Sequence, residues 1–251
     1  MLQLDDLELC IEKINAAKSS EKAFEVYANI LAECGYSRVT YSLVTDHPSL
    51  GLKKQLGLAT SYPEDWIAYY FENGYGDIDP VVVGVLKSTK PFFWGDLHKD
   101  KNLSQQSLTI LDQASEAGIC SGIGFSMLGL WGEVVGIGLA REDKDDGKDY
   151  DFLAKAYLLS TYFHETYRSM LIKDKAPAVT VRESEVLHWA AEGKTDDEIA
   201  NNLGISSNTV RFHWKNIFRK FNANGRMYAV TKAIRLGVIA PEVILPTYQS
   251  W

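Results

Sequence analysis

Between Ile205 and Arg235 the sequence contains no aspartate or glutamate, although seven lysines and arginines fall there. The whole chain is acidic, with a formal net charge of -7. Solvated surface usually mixes the two signs, so an acid-free basic stretch in an acidic chain is the electrostatic footprint of a module that meets a polyanion. Other scarcities exclude function classes. Cys10, Cys34 and Cys120 are odd in number, widely spaced and in apolar contexts, which reads as reduced core thiols rather than a disulfide framework or zinc site. No apolar run is long enough to cross a bilayer. The opening "MLQLDDLELC" lacks a signal peptide's basic flank and long apolar core. The expected location is the cytoplasm, with no membrane partner. HExxH, CxxC and GxSxG are all missing, and His47, His98, His164 and His188 are scattered. No catalytic residue, metal site or cofactor is therefore expected, and an enzyme is the least favoured class.

What is present is organised in two parts. At 251 residues and 46% hydrophobic, one or two domains are expected. Charge favours two: residues 1–175 hold 17 basic and 26 acidic side chains, whereas residues 176–240 hold 9 and 6. In the first part, residues 2–16 and 21–34 have helical spacing, the second stretch closing at Gly35. "YSRVTYSLVT" alternates like a strand, and "LKKQLGLAT" can return as its neighbour. Helices are expected from Pro63 to Gly74, after Asp79-Pro80 and over residues 103–117. Two strands around a turn near Trp131-Gly132 follow, then a last helix over 150–172. Helices flanking an antiparallel sheet of four or five strands make an α/β/α sandwich of the sensor type, expected over residues 1–172. "KDKAPAV" supplies a linker, 173–179. An all-α domain of four short helices is expected over 180–240, making the chain α+β overall. Thr180 to Glu183 and Thr195 to Glu198 each fit the S/T-x-x-E capping box. "NNLGISSN" supplies the turn before a third helix beginning near Ser207, the pattern of a helix-turn-helix.

That helix divides its residues cleanly. At 100° per residue, Val210, Trp214, Ile217 and Phe221 form one apolar stripe, and Arg211, Lys215 and Arg219 form a cationic row with Asn208 beside it. Double-stranded DNA is the implied partner. Arg211 suits a guanine edge and Asn208 a base edge or phosphate, whereas Lys215, Arg219 and Lys220 suit phosphates; Ser207 opens the same face. Phe212, bordering the cationic row, is ambiguous between core and interface. One such helix binds weakly, so a homodimer on a palindromic operator is expected. Leu153, Tyr157, Leu158 and Thr161 on the 150–172 helix are the candidate pairing surface, with packing on the sheet as the plain alternative.

Over nearly its full length the sequence resembles the LuxR family of quorum-sensing transcription regulators. Glu183, Leu187 and Gly193 match positions of the family's DNA-binding part. "SYPEDWIAYYFENGYGDIDPVV" and "PFFWGD" place Tyr62, Trp66, Tyr70, Asp79, Pro80 and Trp94 at the spacings of its autoinducer pocket, and "GICSGI" supplies Gly122. The resemblance implies an N-acyl-homoserine lactone as ligand, with RNA polymerase a candidate partner. On that reading Asp79 accepts the ligand amide N–H, Trp66 donates to the lactone carbonyl, and Tyr62 donates to the amide carbonyl. Tyr70 and Trp94 wall the ring and tail.

Departures from the family pattern bear on ligand choice. Gly138 stands where the family often carries a hydroxyl facing the ligand amide, and Gly124 lies on the same side of the sheet by alternation. The expectation is a roomier pocket taking a long or bulky tail or another small molecule; the plain alternative is glycines that let neighbours pack closely. Residues 241–251, with two prolines and a terminal Trp251, form a longer tail than is usual in the family. Two rival readings remain: a phosphoacceptor receiver, which leaves the Tyr/Trp/Asp spacing without a role, and a sensor that serves only partner contacts.

Overall fold

The computed structural model describes residues 6–45, 53–128, 134–145, 147–173 and 176–240. It separates into two units, with the boundary along the chain after Leu171. The first unit runs α1 (Leu7–Asn15), α2 (Ser20–Glu33), β1 (Arg38–Leu43), β2 (Gln55–Thr60), α3 (Glu64–Glu72), α4 (Pro80–Lys87), β3 (Phe92–Phe93), α5 (Gln105–Glu116), β4 (Ser121–Leu128), β5 (Val134–Arg141) and α6 (Tyr150–Lys173). Side chains fix the helix starts. Asp6, Ser19 and Ser104 each accept the N–H three residues on, satisfying a donor that the first helical turn leaves orphaned. These caps place α1 and α5 slightly inside the spans that periodicity suggests. Three segments carry no periodic signal and were not anticipated: the two-residue β3 and the 3₁₀ turns Tyr75–Asp77 and Trp94–Lys99. The expected turn near Trp131-Gly132 and the tail 241–251 lie outside the described residues.

The five strands pair antiparallel in the order β2-β1-β5-β4-β3. Alternation sorts their side chains onto two faces. Val39, Tyr41, Ile123, Phe125, Ile137 and Leu139 are almost wholly buried on one face. They meet α2 and α6 through a ring cluster in which Tyr27 stacks on Phe163 at 4.1 Å and Tyr41 meets Phe163 edge-on at 5.5 Å. The polar tips in this core are paired: Tyr27 and Ser160 share a 2.6 Å hydrogen bond, and the Tyr41 hydroxyl lies 2.9 Å from His164 Nδ1. The opposite face carries Thr40, Ser42, Gly122, Gly124, Gly136 and Gly138, and α3, α4 and α5 cover it.

Unit two holds α7 (Val181–Ala191), α8 (Asp196–Leu203), α9 (Ser207–Phe221) and α10 (Arg226–Arg235). Both expected capping boxes are formed, by Thr180 with Glu183 and by Thr195 with Glu198. Gly204 ends α8 at φ 63°, a left-handed conformation open to glycine at no steric cost, and Ser206 caps α9 directly after it. The small core is made by Leu187, Ile199, Val210, Trp214, Ile217 and Phe221, closed by Ala229 and Ala233. Among the described residues no helix is long and apolar enough to cross a membrane.

One buried charge pair ties this unit together. Glu183, 3% exposed, closes its capping box and also accepts from the Lys220 ammonium at 2.6 Å. Burial alone would push the Glu183 carboxyl up, but Lys220 and the Thr180 N–H and hydroxyl outweigh it and hold the group below the ordinary glutamate range. A depressed carboxylate stabilises the fold above its unfolded pKa, and that stability is lost as pH falls through the folded value. Lys220→Met leaves Glu183 buried without its cation. The expected loss is about 2 kcal/mol at neutral pH, less than for a fully enclosed pair because the lysine is partly solvated. Hydrogen exchange of the α9 amides in the full chain reads this loss, which should shrink as pH falls through the depressed Glu183 value, below the ordinary glutamate range.

Candidate ligand cavity and nucleic-acid interface

A cavity of about 80 Å³ lies between the glycine-bearing face of the sheet and α3, α4 and α5. Six of the seven residues expected to bind ligand wall it: Tyr62, Trp66, Tyr70, Asp79, Trp94 and Gly138. Val81, Val82, Val85, Ile67, Ile110 and Leu111 make the rest of the enclosure largely apolar. Asp79 is the N-cap of α4, where Pro80 occupies the first helical turn. Its Oδ1 accepts the Val81 N–H at 2.8 Å and its Oδ2 accepts the Tyr70 hydroxyl at 2.8 Å. The alternatives of helix cap and cavity residue therefore coincide in one side chain. Burial pushes the Asp79 carboxyl above its ordinary value, against the hydrogen bonds from Tyr70, Val81 and Val82. Burial, followed by the neighbouring Asp79 charge, likewise raises the Tyr62 and Tyr70 phenols, so both are neutral O–H donors at physiological pH. Tyr70 departs from its expected part as a simple wall, because its hydroxyl is directed at Asp79. Trp94 is 6% exposed, and its indole N–H is buried with no partner among the described residues.

Gly124 stands apart from this wall. It pairs with Phe92 of β3, and a Cβ there would come 2.6 Å from the Phe92 ring, just as a Cβ on Gly84 would come 2.7 Å from the same ring. Gly138 does border the cavity, but its free side is occupied. A Cβ would sit 3.0 Å from Thr40 Cγ2, 3.1 Å from the Tyr62 hydroxyl and 3.5 Å from Trp94 Cζ2. The expectation of a roomier pocket is thus corrected: neighbours close over the glycines instead of leaving space, the close-packing alternative. Thr40 and Ser42 also line the cavity and were missed as site residues. Their signal is in the alternation of "RVTYSL", but only strand register shows that they share a face with Gly136 and Gly138.

The exposed positions of α9 are Asn208, Arg211, Phe212, Lys215 and Arg219, a continuous stripe opposite the buried Val210, Trp214, Ile217 and Phe221. Arg211 is 68% exposed in its side chain and lies 3.4 Å from Asn208 Oδ1. Arg219 makes a similar 3.4 Å contact with Asn216. Phe212, 61% exposed, belongs to this stripe and not to the core. Two expected DNA-contacting residues are engaged within the unit. The Ser207 hydroxyl donates to Asp197, and the Lys220 ammonium is held by Glu183, so neither side chain is free for a phosphate as placed. Asp196, not anticipated, is a hub: it accepts from the Trp214 indole at 3.1 Å and from Arg226 at 3.3 Å, while Arg226 lies over the Trp214 ring. On α6, Tyr157 turns inward onto Phe125 at 5.3 Å, and Leu158, Thr161 and Tyr162 are among its exposed residues.

Comparison with known proteins agrees with this division. An autoinducer-binding domain model matches residues 19–167, and the luxR family model of bacterial regulatory proteins matches 177–233. The chain is 32% identical over 221 residues to the quorum sensing-dependent transcriptional regulator RpaR of Rhodopseudomonas palustris, covering 85% of this chain and 86% of RpaR. It is 28% identical over 239 residues to the transcriptional activator LuxR of Aliivibrio fischeri, covering 92% and 94%. The crystal structure of Escherichia coli SdiA superposes with a TM-score of 0.73 at 23% identity, covering 92% of this chain and 97% of that one. A second SdiA structure, in complex with octanoyl-rac-glycerol, matches with the same score at 24% identity, covering 95% and 98%.

Gly122 gives a test of how tightly the glycine-bearing face of the sheet is packed. A Cβ there would fall 2.4 Å from the Leu139 carbonyl oxygen, a backbone atom held in the ladder, and 3.0 Å from the Trp94 ring. Gly122→Ala is expected to cost about 1–3 kcal/mol. The thermal midpoint of the full chain should fall by at least about 3 °C. Gly124→Ala should fall less, because only the rim of the Phe92 ring must move.

Proposed function

Because the chain belongs to the LuxR family of transcriptional regulators, in which an autoinducer-binding domain is joined to a luxR-type DNA-binding domain, we propose that its cavity takes an N-acyl-homoserine lactone. On this reading a homodimer then presents two copies of α9 to a palindromic promoter site, with RNA polymerase as a further partner. The protein is a ligand-sensing, DNA-binding regulator and not an enzyme. The ligand-binding domain is assigned to residues 1–172, a linker to 173–179, the DNA-binding domain to 180–240 and a tail to 241–251.

The observation that carries the ligand assignment is the convergence of Tyr62, Trp66 and Asp79 on one apolar cavity. A lactone of this class has one amide N–H, two carbonyls and an oily tail, and none of its polar atoms can be buried unpaired without penalty. Asp79 is the acceptor for the N–H, Tyr62 the donor to the amide carbonyl and Trp66 the donor to the lactone carbonyl. Tyr70 acts through Asp79, fixing which lone pairs face the ligand. Trp94 walls the ring, and the valines of α4 with Ile110 and Leu111 receive the tail. Filling the cavity completes the sensor core. Ligand-linked folding of this kind stabilises the native state by mass action and with it the pairing surface, for which Leu158 and Tyr162 on α6 are the apolar candidates.

Asp79→Asn separates ligand recognition from folding. The variant removes a desolvated charge, keeps its amide oxygen for the Val81 N–H and turns its amide NH2 to donate to the Tyr70 oxygen, so ligand-free thermal stability should hold or rise. Stabilisation by octanoyl-homoserine lactone should fall by at least tenfold in apparent affinity, about 1.4 kcal/mol. A preserved response to the lactone argues against the cavity roles, and stabilisation only by an acylglycerol argues for another acyl ligand.

At the DNA, Arg211 is assigned to a base edge and Lys215 and Arg219 to phosphates. In binding titrations against selected and scrambled duplexes, Arg211→Ala should relax preference at one position of each half-site, at about 1–3 kcal/mol. Lys215→Ala should weaken both duplexes alike and reduce the salt slope by about 1. Equal loss of preference in both variants contradicts the division of roles.

A further inference from the structure

Outside the sensor cavity, a cleft of about 310 Å³ opens among the 3₁₀ turn Trp94–Lys99, α5 and the start of β4. Trp94, Leu111 and Ile119 line both spaces, so their side chains stand between them. On the cleft side the same three residues make an apolar floor. The rim is basic: Lys99, Lys144 and His98 are exposed on it, against one acid, Asp112, among the described residues. This concentration runs against the balance of its unit, since residues 1–175 hold 17 basic side chains and 26 acidic ones. Nearby acids are already spent. Asp96 and Asp145 line an adjoining recess that shares Lys99 and Ser121 with the cleft, and they are held by Lys148 at 2.7 Å and Arg141 at 3.3 Å. Lys99 and Lys144 have no partner among the described residues.

The dividing wall carries an unmet donor. Trp94 is 6% exposed, and no acceptor reaches its indole N–H among the described residues. An enclosed donor in that state bears a desolvation penalty that an arriving oxygen removes. The Trp94 ring borders two spaces. In the cavity, both carbonyls of the lactone proposed there are assigned to Tyr62 and Trp66, which on that reading leaves the cleft as the source of an acceptor. We propose that the cleft is a second small-molecule site, and that it takes a compact amphipathic anion such as an aromatic carboxylate. The apolar body lies on Trp94, Leu111 and Ile119, and the charge sits toward Lys99 and Lys144. Inorganic phosphate would meet the lysines but leave the apolar floor facing water, and a neutral ligand would leave both lysines unused.

Cys120 supplies a local readout, because it lines the cleft and is half-buried, whereas Cys10 is wholly buried and Cys34 lies at the end of α2. The purified full chain is alkylated with iodoacetamide in the presence of 2-naphthoate or its neutral isostere 2-naphthamide, and each cysteine is followed by mass spectrometry. Naphthoate should slow alkylation of Cys120 and not of Cys34. Its midpoint should lie at least about fivefold below that of the amide, the modest gain that solvated cations supply. Replacing both cations, Lys99→Gln with Lys144→Gln, should bring the two midpoints together, and Lys99→Arg with Lys144→Arg should keep them apart. Calorimetric titration reads the same midpoints if the thiol is unreactive. Saturating octanoyl-homoserine lactone should leave full shielding of Cys120 attainable. The proposal is overturned if naphthoate does not bind at millimolar concentration, if the amide binds equally well, or if the glutamine pair preserves the difference. A naphthoate midpoint that climbs in proportion to lactone concentration also overturns it, by placing the probe in the sensor cavity. Failure of the lactone itself to bind counts against the cavity assignment alone.

Discussion

A carboxylate inside an apolar cavity is costly, and the sensor unit is arranged around making that cost bearable at Asp79. Pro80 starts α4 immediately after it, so the helix's first free N–H groups converge on the side chain. The Tyr70 hydroxyl approaches from α3 and takes the other oxygen. Both contacts come from elements whose opposite sides complete the core, where Tyr70 meets Tyr75 and Trp66 edge-on. The acceptor is therefore preorganised by the same packing that closes the fold, and its carboxyl is still raised by burial. A site in that condition favours any ligand that brings an N–H to it, because the incoming donor relieves a desolvation the protein already bears.

The sheet supports this by what it omits. Gly122, Gly124, Gly136 and Gly138 occupy one face of β4 and β5, and the place of each missing side chain is taken by another element: Trp94, Phe92, Val85, and Thr40 with Tyr62. Helices and aromatic rings thereby press directly on strand backbone. Close approach brings a tyrosine hydroxyl from outside the sheet and a threonine methyl from inside it over the same glycine. Glycine here is a device for bringing functional groups from different strands and loops to one point, and volume is not its product.

These same residues mark how far the sequence alone is legible. Helix starts at Thr180, Thr195 and Asp79 are local, written in a side chain and a backbone N–H two or three residues apart, and they read correctly. The apolar stripe of α9 is likewise a property of one helix and emerges residue for residue. Thr40 could not be placed on the cavity wall that way, because its position there depends on register with β5, almost a hundred positions later in the chain. Phe92 over Gly124 is the same kind of case, carried by a strand of two residues that offers no periodicity to detect. Lys220 shows the converse error. Its position on the basic helix suggests a phosphate contact, but Glu183, distant in sequence, claims its charge. Local chemistry is readable when both partners are near in the chain, and pairing across the fold is not.

Removing Lys220 and Ser207 from the DNA-contacting set narrows what α9 can do. Arg211, Lys215 and Arg219 remain on the exposed stripe, with Asn208 and Phe212 between them. Three cations per helix support only a modest gain from counterion release. Asp196 further moderates the local field, since its carboxylate sits 4.0 Å from Arg211 while bound to Trp214 and Arg226. A single copy is therefore weak and salt-sensitive. In the proposed dimer the second copy turns a weak contact into a near-intramolecular one, so occupancy of a promoter depends on pairing more than on any added contact at the DNA. Regulation through a buried ligand suits that proposed arrangement: if two copies bind one palindromic site, a small change in the fraction of competent sensor units is felt twice there.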